Sequence, residues 1–333
     1  MSWRQQDLVS STGYCKKLNQ VDSLFNVNNI LLKDLVSKSI KKYNISNLEL
    51  KQASELSKFG SGSGSGSGGY YRVIESLCHY TRDWTNQGSV EIQPLITYFK
   101  NQLISTNVDF KNTIAIVPGS GLGRMSHELT KLNFKKVHAI EYSWLMVLFN
   151  EFVYANENEV DEKICSKPNT YKIHPYIHNY SNQLSNDLQF RSVEFEQLNM
   201  KPNNLTIHKH DFNHFDITKY HTKEELPPNI LILTCFFLDT AENLIDYFDS
   251  INRICDNFKG SKTWINVGPL KYGTAAKCEL NYQELKSVRD KMGWETISED
   301  EDSGDVDVLG YLTDEESLWR GYYGVTKWTC IKK

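Results

Sequence analysis

A carboxylate that follows a buried apolar strand is the strongest candidate for chemistry in this sequence. Asp239 lies in TCFFLDTAEN (234–243), directly after the apolar run ILILTCFF (230–237). In an open α/β sheet, ligands bind beyond the carboxyl ends of the strands, where the strand order reverses. At such a place, between the first and fourth predicted strands, Asp239 could face the reactive end of a ligand held by a neighbouring glycine-rich turn. The structural alternative is an N-cap for a following helix, which Asp-Thr-Ala-Glu also resembles.

A glycine-rich turn and an acidic residue indicate a nucleoside-containing ligand. VPGSGLGR (117–124) follows the strand IAIV (114–117), and Gly119 and Gly121 permit the backbone to approach a ligand closely. Glu141 ends the next apolar strand, where a carboxylate accepts hydrogen bonds from both ribose hydroxyls of an adenosine. We favour this role over that of a solvated loop acid. The spacing fits NAD as well as S-adenosylmethionine.

Arg82 and Asp211 each have both a binding and a structural interpretation. Arg82 could grip the carboxylate of an amino-acid cofactor with two hydrogen bonds, or it could pair with the adjacent Asp83. Asp211 follows the third predicted strand, where a polar side chain commonly meets an adenine amino group, and Phe212 could stack on that base. Asp211 could equally cap a helix. The sequence leaves these alternatives open.

Histidines surround Asp211, but their pattern does not indicate a metal centre. Strand alternation puts His208 and His210 on one face, while His214 lies beyond the strand. No carboxylate or cysteine joins them at a ligand spacing. The seven cysteines include no Cys-x-x-Cys pair, which is typical of reduced thiols rather than of zinc sites or disulfides. We therefore predict no bound metal.

The elements that must position these residues alternate between strand and helix, which predicts a doubly wound α/β core over residues 111–333. The predicted strands span residues 114–117, 137–141, 205–209, 230–237 and 263–268. The predicted helices between them span residues 122–132, 144–154 and 241–254. The long polar stretch 156–204 exceeds an ordinary connection and is predicted to be a functional insertion.

The first part of the chain has apolar residues at helical spacing, which predicts an N-terminal helical lobe over residues 1–110. Its helices are expected within 16–57, 70–84 and 92–103. The segment GSGSGSGSGG (60–69) has the composition of an engineered flexible linker. We exclude this linker from the reasoning about the fold.

Composition narrows the class of protein. The chain has 333 residues, of which 40% are hydrophobic and 12% aromatic, enough for a packed core. A net charge of −4 gives no electrostatic reason to expect nucleic acid or an anionic membrane as a partner. The longest apolar stretch, 230–238, is too short to span a bilayer, and MSWRQQDLVS lacks a signal peptide's apolar run. We expect a soluble cytoplasmic protein, with the nucleus as a second location and a homodimer as one form of assembly.

Several motifs, in order, resemble the carnosine N-methyltransferase family from about Tyr70 to the C-terminus. They are VPGSGLGR, Glu141-Tyr-Ser-Trp, HPYIHNYSNQ, HDF, LTCFFLDTAENLIDY and WINVGPLKY. That family transfers a methyl group from S-adenosylmethionine to the imidazole of a histidine-containing dipeptide, converting carnosine to anserine and leaving S-adenosylhomocysteine. The resemblance implies a Rossmann-like class I methyltransferase core, and it favours S-adenosylmethionine over NAD.

The resemblance also implies a role for each matching residue. The cofactor-binding residues would be His79, Arg82, Gly119, Gly121, Glu141, Asp211 and Phe212. The catalytic, substrate-binding residues would be Asp239, Tyr322 and Tyr323. His79 departs from the family's glutamine, and Gly273 stands where the family has a substrate-contacting histidine. Because of Gly273, a histidine-containing protein remains an alternative substrate, and a cofactor-binding interaction protein without turnover remains an alternative function.

Overall fold

The computed structural model describes residues 1–59, 66–155, 169–222, 224–299 and 307–332. These residues form ten α-helices and eleven β-strands. The helices are α1 (Trp3–Ser11), α2 (Tyr14–Tyr43), α3 (Asn47–Phe59), α4 (Gly66–Trp84), α5 (Ser89–Ser105), α6 (Arg124–Thr130), α7 (Trp144–Phe152), α8 (Asn186–Phe190), α9 (Leu244–Cys255) and α10 (Tyr282–Lys291). The strands are β1 (Thr113–Pro118), β2 (Lys136–Glu141), β3 (Thr170–Ile173), β4 (Val193–Glu196), β5 (Leu205–Lys209), β6 (Asn229–Cys235), β7 (Lys262–Gly268), β8 (Glu295–Glu299), β9 (Val308–Gly310), β10 (Tyr322–Gly324) and β11 (Thr326–Lys332).

A seven-stranded sheet, in the order β5-β2-β1-β6-β7-β11-β8, forms the centre of the fold. The strands from β5 to β7 are mutually parallel, and β11 runs antiparallel to both β7 and β8. The chain moves outward from β1 to β2 and β5, then returns to place β6 on the other side of β1. The strand order therefore reverses between β1 and β6, and the predicted doubly wound α/β fold is confirmed.

The central strands are buried on both faces, which is why their sequences are continuous apolar runs rather than alternating ones. Trp264 of β7 is fully buried and lies at the centre of a cluster of aromatic rings. Its ring centroid is 5.0 Å from Phe248 of α9, 5.4 Å from Trp294 and 4.5 Å from Trp328 of β11. These edge-to-face contacts fix α9 against the sheet and add side-chain packing between the neighbouring strands β7 and β11.

The chain divides into two compact units. The first contains the described residues of 1–88, 152–199 and 312–320, which are mainly the N-terminal helices and the antiparallel pair of strands β3 and β4. In this unit, Asn28 of α2 exchanges two hydrogen bonds with the backbone of His174, at 2.9 and 2.7 Å. The second unit contains 89–151, the described residues of 200–311, and 321–332, and it includes the whole seven-stranded sheet.

This division differs from the predicted boundaries. Helix α5 belongs with the sheet, because its buried face, which includes Leu95 and Phe99, packs against β7. The units therefore divide at Gly88 and not near residue 110. Most of the described part of the predicted insertion, 169–199, belongs with the N-terminal helices. Residues 60–65 of the Gly/Ser segment lie outside the described residues, and α4 begins within that segment at Gly66. Among the described helices, none combines the length and the apolar character that a membrane span requires.

Candidate functional site

The turn between β1 and α6 is built from glycines in the left-handed region. Gly119, Gly121 and Gly123 have φ angles of +59°, +51° and +79°. A Cβ atom at Gly119 would lie 2.4 Å from the ring of Phe237, whereas one at Gly121 would meet nothing within 4 Å. The close packing of the Phe237 ring against the turn therefore requires glycine at position 119. Gly121 faces open space, where a ligand could approach the backbone.

Glu141, the last residue of β2, lies against this turn, and its predicted contact with a ribose stays a prediction. Its Oε2 accepts a hydrogen bond from the Gly121 N–H at 3.0 Å, and its Oε1 accepts one from the Ser143 N–H at 2.8 Å. The two bonds orient the carboxylate across the glycine turn. Each oxygen retains acceptor capacity, because an ionised carboxylate offers about four lone-pair sites.

Asp211 follows β5 at the same edge of the sheet, where the backbone N–H of His210 donates to the Glu141 carbonyl at 2.9 Å. The Asp211 side chain caps a short 3-10 turn, Phe212–His214, by accepting from the Asn213 N–H at 2.9 Å. The structural alternative for Asp211 is therefore realised. Its predicted contact with a cofactor stays a prediction.

Phe212 belongs to a group of aromatic rings that also includes Phe237 and Tyr247. Phe212 is buried and meets both rings edge-on, at centroid distances of 5.5 Å to Phe237 and 5.9 Å to Tyr247. Phe237 and Tyr247 stack at 4.4 Å with an interplanar angle of 2°. Phe212 thus packs within the described fold, and its predicted stacking on an adenine stays a prediction.

Tyr247 marks the place where the candidate carboxylates converge. Burial raises the pKa of Tyr247, and the charges of Asp211, Glu141 and Asp239 raise it further. These three residues follow three different strands, so the doubly wound topology brings them to one edge of the sheet. Tyr247 has no local signal in the sequence, because a tyrosine within an amphipathic helix does not reveal which groups its ring faces.

Asp239 lies in a 3-10 turn, Leu238–Thr240, between β6 and α9. It does not cap α9. That helix begins at Leu244, and its cap is Asn243, which accepts from the Ile245 N–H at 3.2 Å. Burial of the Asp239 carboxyl raises its pKa to about 6, although hydrogen bonds from its own N–H and from the Lys271 N–H oppose the shift. The Asp239 carboxyl is thus half-buried, and its pKa lies close to neutral pH.

An aromatic cluster forms around Phe236, which precedes Asp239 by three residues in the chain. Phe236 has a φ angle of +50°, an unusual conformation for a bulky residue that costs about 1–3 kcal/mol and must be held by packing. Its ring stacks on Tyr311 at 4.9 Å and meets Tyr323 edge-on at 6.2 Å. Successive side chains of a strand point to opposite sides, so Tyr322, which is 48% exposed, faces away from this cluster. Of the two predicted tyrosines, Tyr323 is the one beside Phe236.

His79 and Arg82 lie in α4 of the first compact unit. The Arg82 Nη1 pairs with the Asp83 Oδ1 at 2.8 Å, so the structural alternative for Arg82 is present. Burial lowers the pKa of His79 to about 4; Asp83 opposes this shift and Arg82 adds to it. His79 is thus a neutral imidazole that can form hydrogen bonds. The predicted contacts of His79 and Arg82 with a cofactor stay predictions.

One of the histidines near Asp211, His208, belongs to a hydrogen-bonded chain of three histidines, whereas His210 and His214 bond to Asp211 itself. His138 of β2 bonds through Nδ1 to the His208 Nε2 at 2.8 Å and through Nε2 to the His221 Nε2 at 2.9 Å. Both ring nitrogens of His138 are therefore occupied by hydrogen bonds, one to His208 and the other to His221. No group of three or more histidine, cysteine, aspartate or glutamate side chains could hold a metal ion within the described part of the chain.

Comparison with known proteins gives a consistent result. A family model described as carnosine N-methyltransferase matches residues 67–333. An uncharacterized protein of Saccharomyces cerevisiae is 34% identical over 268 residues, which are 78% of this chain and 54% of that protein. The carnosine N-methyltransferase of Dictyostelium discoideum is 32% identical over 263 residues, 76% of this chain and 52% of that enzyme. That of Schizosaccharomyces pombe is 26% identical over 357 aligned positions, 99% of this chain and 87% of that enzyme. The chain spans about half the length of the first two relatives.

Proposed function

Because the chain belongs to the carnosine N-methyltransferase family, we propose that it transfers a methyl group from S-adenosylmethionine to the imidazole of a histidine-containing dipeptide. Carnosine would be the substrate and anserine the product. The observation that carries this proposal is the half-buried Asp239 carboxylate. It lies beyond β6, at the edge of the sheet that also carries the glycine turn and Glu141.

The residues at this edge fit the cofactor. The open space beside Gly121 accommodates a ligand at the backbone, and the Glu141 carboxylate can accept the ribose hydroxyls. When bound, S-adenosylmethionine supplies an electrophilic methyl group on a sulfonium. By the family resemblance, the remaining contacts would come from His79, Arg82, Gly119, Asp211 and Phe212.

Asp239 would orient the substrate ring and manage its proton. One ring nitrogen must be neutral and aligned with the methyl group, while the other carries the N–H. An ionised Asp239 accepts a hydrogen bond from that N–H, which fixes the tautomer and stabilises the positive charge that develops on the ring. Its pKa of about 6 lies close to that of imidazole, so Asp239 can take the proton as the methylated ring becomes neutral.

The aromatic cluster of Phe236, Tyr311 and Tyr323 would provide a surface for the flat ring. Aromatic faces attract cations, and this attraction strengthens as the imidazole acquires charge. A stack of large apolar groups also excludes water from the reacting nitrogen. Burial also accounts for the raised pKa of Asp239, since it disfavours the ionised form of the carboxyl.

The experiment is a methylation assay with carnosine and labelled S-adenosylmethionine, comparing the wild type with Asp239→Asn. Asparagine has the size of aspartate but lacks its charge, so we expect kcat to fall by a factor on the order of 100 or more. The affinity for S-adenosylhomocysteine should stay within about twofold, because cofactor binding does not require this charge. Near-normal turnover by Asp239→Asn, or no methylation of carnosine by the wild type, would contradict the proposal.

Asn243→Ala is the matched control for this experiment. Asn243 caps α9 only a few residues beyond Asp239, yet its side chain is directed to the helix backbone. Its loss should lower the free energy of unfolding by about 1 kcal/mol. Turnover per folded molecule should remain that of the wild type, which separates damage to α9 from loss of the Asp239 charge.

A further inference from the structure

One lysine lies beside the proposed imidazole site. The chain leaves β7 at Gly268 and reaches Lys271, whose backbone N–H lies near enough to the Asp239 carboxylate to oppose the rise of its pKa. The Lys271 ammonium lies 5.8 Å from the centroid of the Tyr323 ring. The same residue therefore contacts the acid through its backbone and the aromatic cluster through its side chain.

The ammonium of Lys271 is not neutralised by a carboxylate. Other lysines of the same compact unit do form ion pairs, among them Lys277 with Glu242 at 3.5 Å and Lys286 with Glu299 at 2.6 Å. Within the described ranges, no carboxylate oxygen lies within 4.0 Å of the Lys271 ammonium, whose side chain is exposed. A cation on an aromatic surface, still open to solvent, can accept an anion.

The loop beyond Lys271 leaves room for such an anion. Gly273 lies two residues further along, and a Cβ atom there would meet nothing within 4 Å. No side chain at this position fills the space or supplies a competing hydrogen-bond donor. A flexible lysine stem next to open space can adjust to the polar end of a small molecule.

We propose that Lys271 binds the free carboxylate of the substrate and so restricts the enzyme to small molecules that end in histidine. When the imidazole of a substrate histidine contacts Asp239, the α-carboxylate of that histidine lies one side-chain length from Asp239. A lysine beside Asp239 can form a charge-assisted hydrogen bond to that group. A histidine within a protein chain presents a neutral amide there and gains no such bond. This inference rests on the proposed function, because it assumes that Asp239 holds the imidazole.

The test compares carnosine with carnosine C-terminal amide in the wild type and in Lys271→Met. Methionine preserves the unbranched stem beside Tyr323 and the backbone N–H to Asp239, and it removes only the charge. We expect KM for carnosine to rise about tenfold or more, with kcat within about threefold, because the lost contact is equal in ground and transition states. The amide should already have a high KM in the wild type, and Lys271→Met should change that value less than about twofold.

Two further variants complete the design. Lys271→Arg keeps the charge and should bring KM for carnosine back to within about threefold of the wild type. Lys277→Met removes a lysine that already pairs with Glu242 and should leave both substrates unaffected. The inference would be overturned if KM for carnosine were unchanged in Lys271→Met, or if the wild type had equal KM values for carnosine and its amide. Either result would leave the proposed function standing. Methylation of neither compound by the wild type would overturn the proposed function as well.

Discussion

Asp239 occupies a position where its charge weakens the fold. Burial raises the folded-state pKa of its carboxyl from 3.8 to about 6. The unfolded chain therefore releases this proton more readily than the folded chain. The stabilising contribution of the protonated acid is fully present below about pH 4 and is lost as the pH rises through about 6. At neutral pH the ionised carboxylate is thus unfavourable for stability, as expected where a charge serves function.

Replacement of Asp239 by asparagine should consequently stabilise the protein at neutral pH. The pKa shift corresponds to at most about 3 kcal/mol, and partial exposure reduces this, so we expect a gain of about 1 kcal/mol. Urea unfolding at about pH 7.5 should reveal the gain, and at about pH 4 it should vanish. A less stable Asp239→Asn at neutral pH would indicate that the ionised carboxylate supports the fold.

The same pKa predicts how methyl transfer depends on pH. Asp239 must be ionised to hold the ring N–H, and the imidazole must be neutral to attack the methyl group. Both requirements fail as the pH falls below about 6, so kcat/KM for carnosine should decrease there with a slope steeper than one proton would give. A rate profile that stays flat down to about pH 5 would exclude Asp239 as the group that binds the ring.

Gly119 and Gly121 should respond differently to substitution by alanine. Both have positive φ angles, so each alanine carries a backbone cost of about 1–2 kcal/mol. The new Cβ at residue 119 also collides with Phe237, whereas that at residue 121 enters open space. Gly119→Ala should therefore lose more stability, by about 1–3 kcal/mol. Gly121→Ala should mainly weaken S-adenosylhomocysteine binding in calorimetry. Equal losses of stability would mean that Phe237 moves aside freely.

At the scale of the secondary-structure elements, the sequence predicts the parallel strands well, because strands buried on both faces are recognisable as apolar runs. The strand predicted at 114–117 is observed as Thr113–Pro118, and that at 137–141 as Lys136–Glu141. The start of α9 is less predictable. Asp239 and Asn243 both suit an N-cap, and only the 3-10 turn that intervenes assigns the cap to Asn243.

The histidine chain between β2 and β5 shows a second limit of sequence reasoning. Strand alternation identifies the face on which His208 lies, but not its partner. That partner is His138, which the parallel pairing of β2 with β5 brings within 2.8 Å. Burial, and then the neighbouring charges, lower the pKa of His138 to about 2 and that of His208 to about 4. Burial also lowers the pKa of His221, with Glu225 opposing.

This chain should make the fold sensitive to acid. Histidines with depressed folded-state pKa values contribute stability above about pH 6.5, and this contribution is lost as the pH falls, because the unfolded chain takes up protons first. For His208 alone, the loss between about pH 7.5 and 5 is on the order of 2 kcal/mol. Urea unfolding should show that His208→Gln reduces this dependence on pH. His214→Gln, at an exposed position, should not, and equal slopes for both variants would contradict the argument.

At the scale of the whole molecule, the sequence identifies the fold class but not which elements group together. Helix α5 was assigned to the N-terminal lobe because it follows other helices in the chain, yet it belongs with the sheet. The antiparallel insertion of β11 between β7 and β8 likewise depends on long-range pairing that no local pattern records. The carboxylates at the sheet edge were predictable, because they follow directly from strand ends.

Ligand binding offers a test at this scale, because a ligand that binds only the folded state raises its stability. At a concentration of S-adenosylhomocysteine about 100 times its Kd, the free energy of unfolding should rise by about 2.7 kcal/mol. For a chain of this size, that is a rise of several degrees in Tm. NAD should produce no rise at the same concentration, which decides between the two cofactors that the glycine turn and Glu141 both suit.

Glu141→Gln should reduce the effect of S-adenosylhomocysteine without unfolding the protein. Glutamine can still accept from the Gly121 N–H, but it loses the second acceptor oxygen and the charge that the ribose hydroxyls would use. We expect Kd to rise about tenfold or more, from a contact of about 1.5–3 kcal/mol, so the Tm increment at a fixed concentration should shrink. The Tm without ligand should fall only slightly, since the one backbone hydrogen bond that glutamine cannot accept is worth about 1 kcal/mol. An undiminished increment in Glu141→Gln, or a larger rise with NAD than with S-adenosylhomocysteine, would remove Glu141 from the cofactor site.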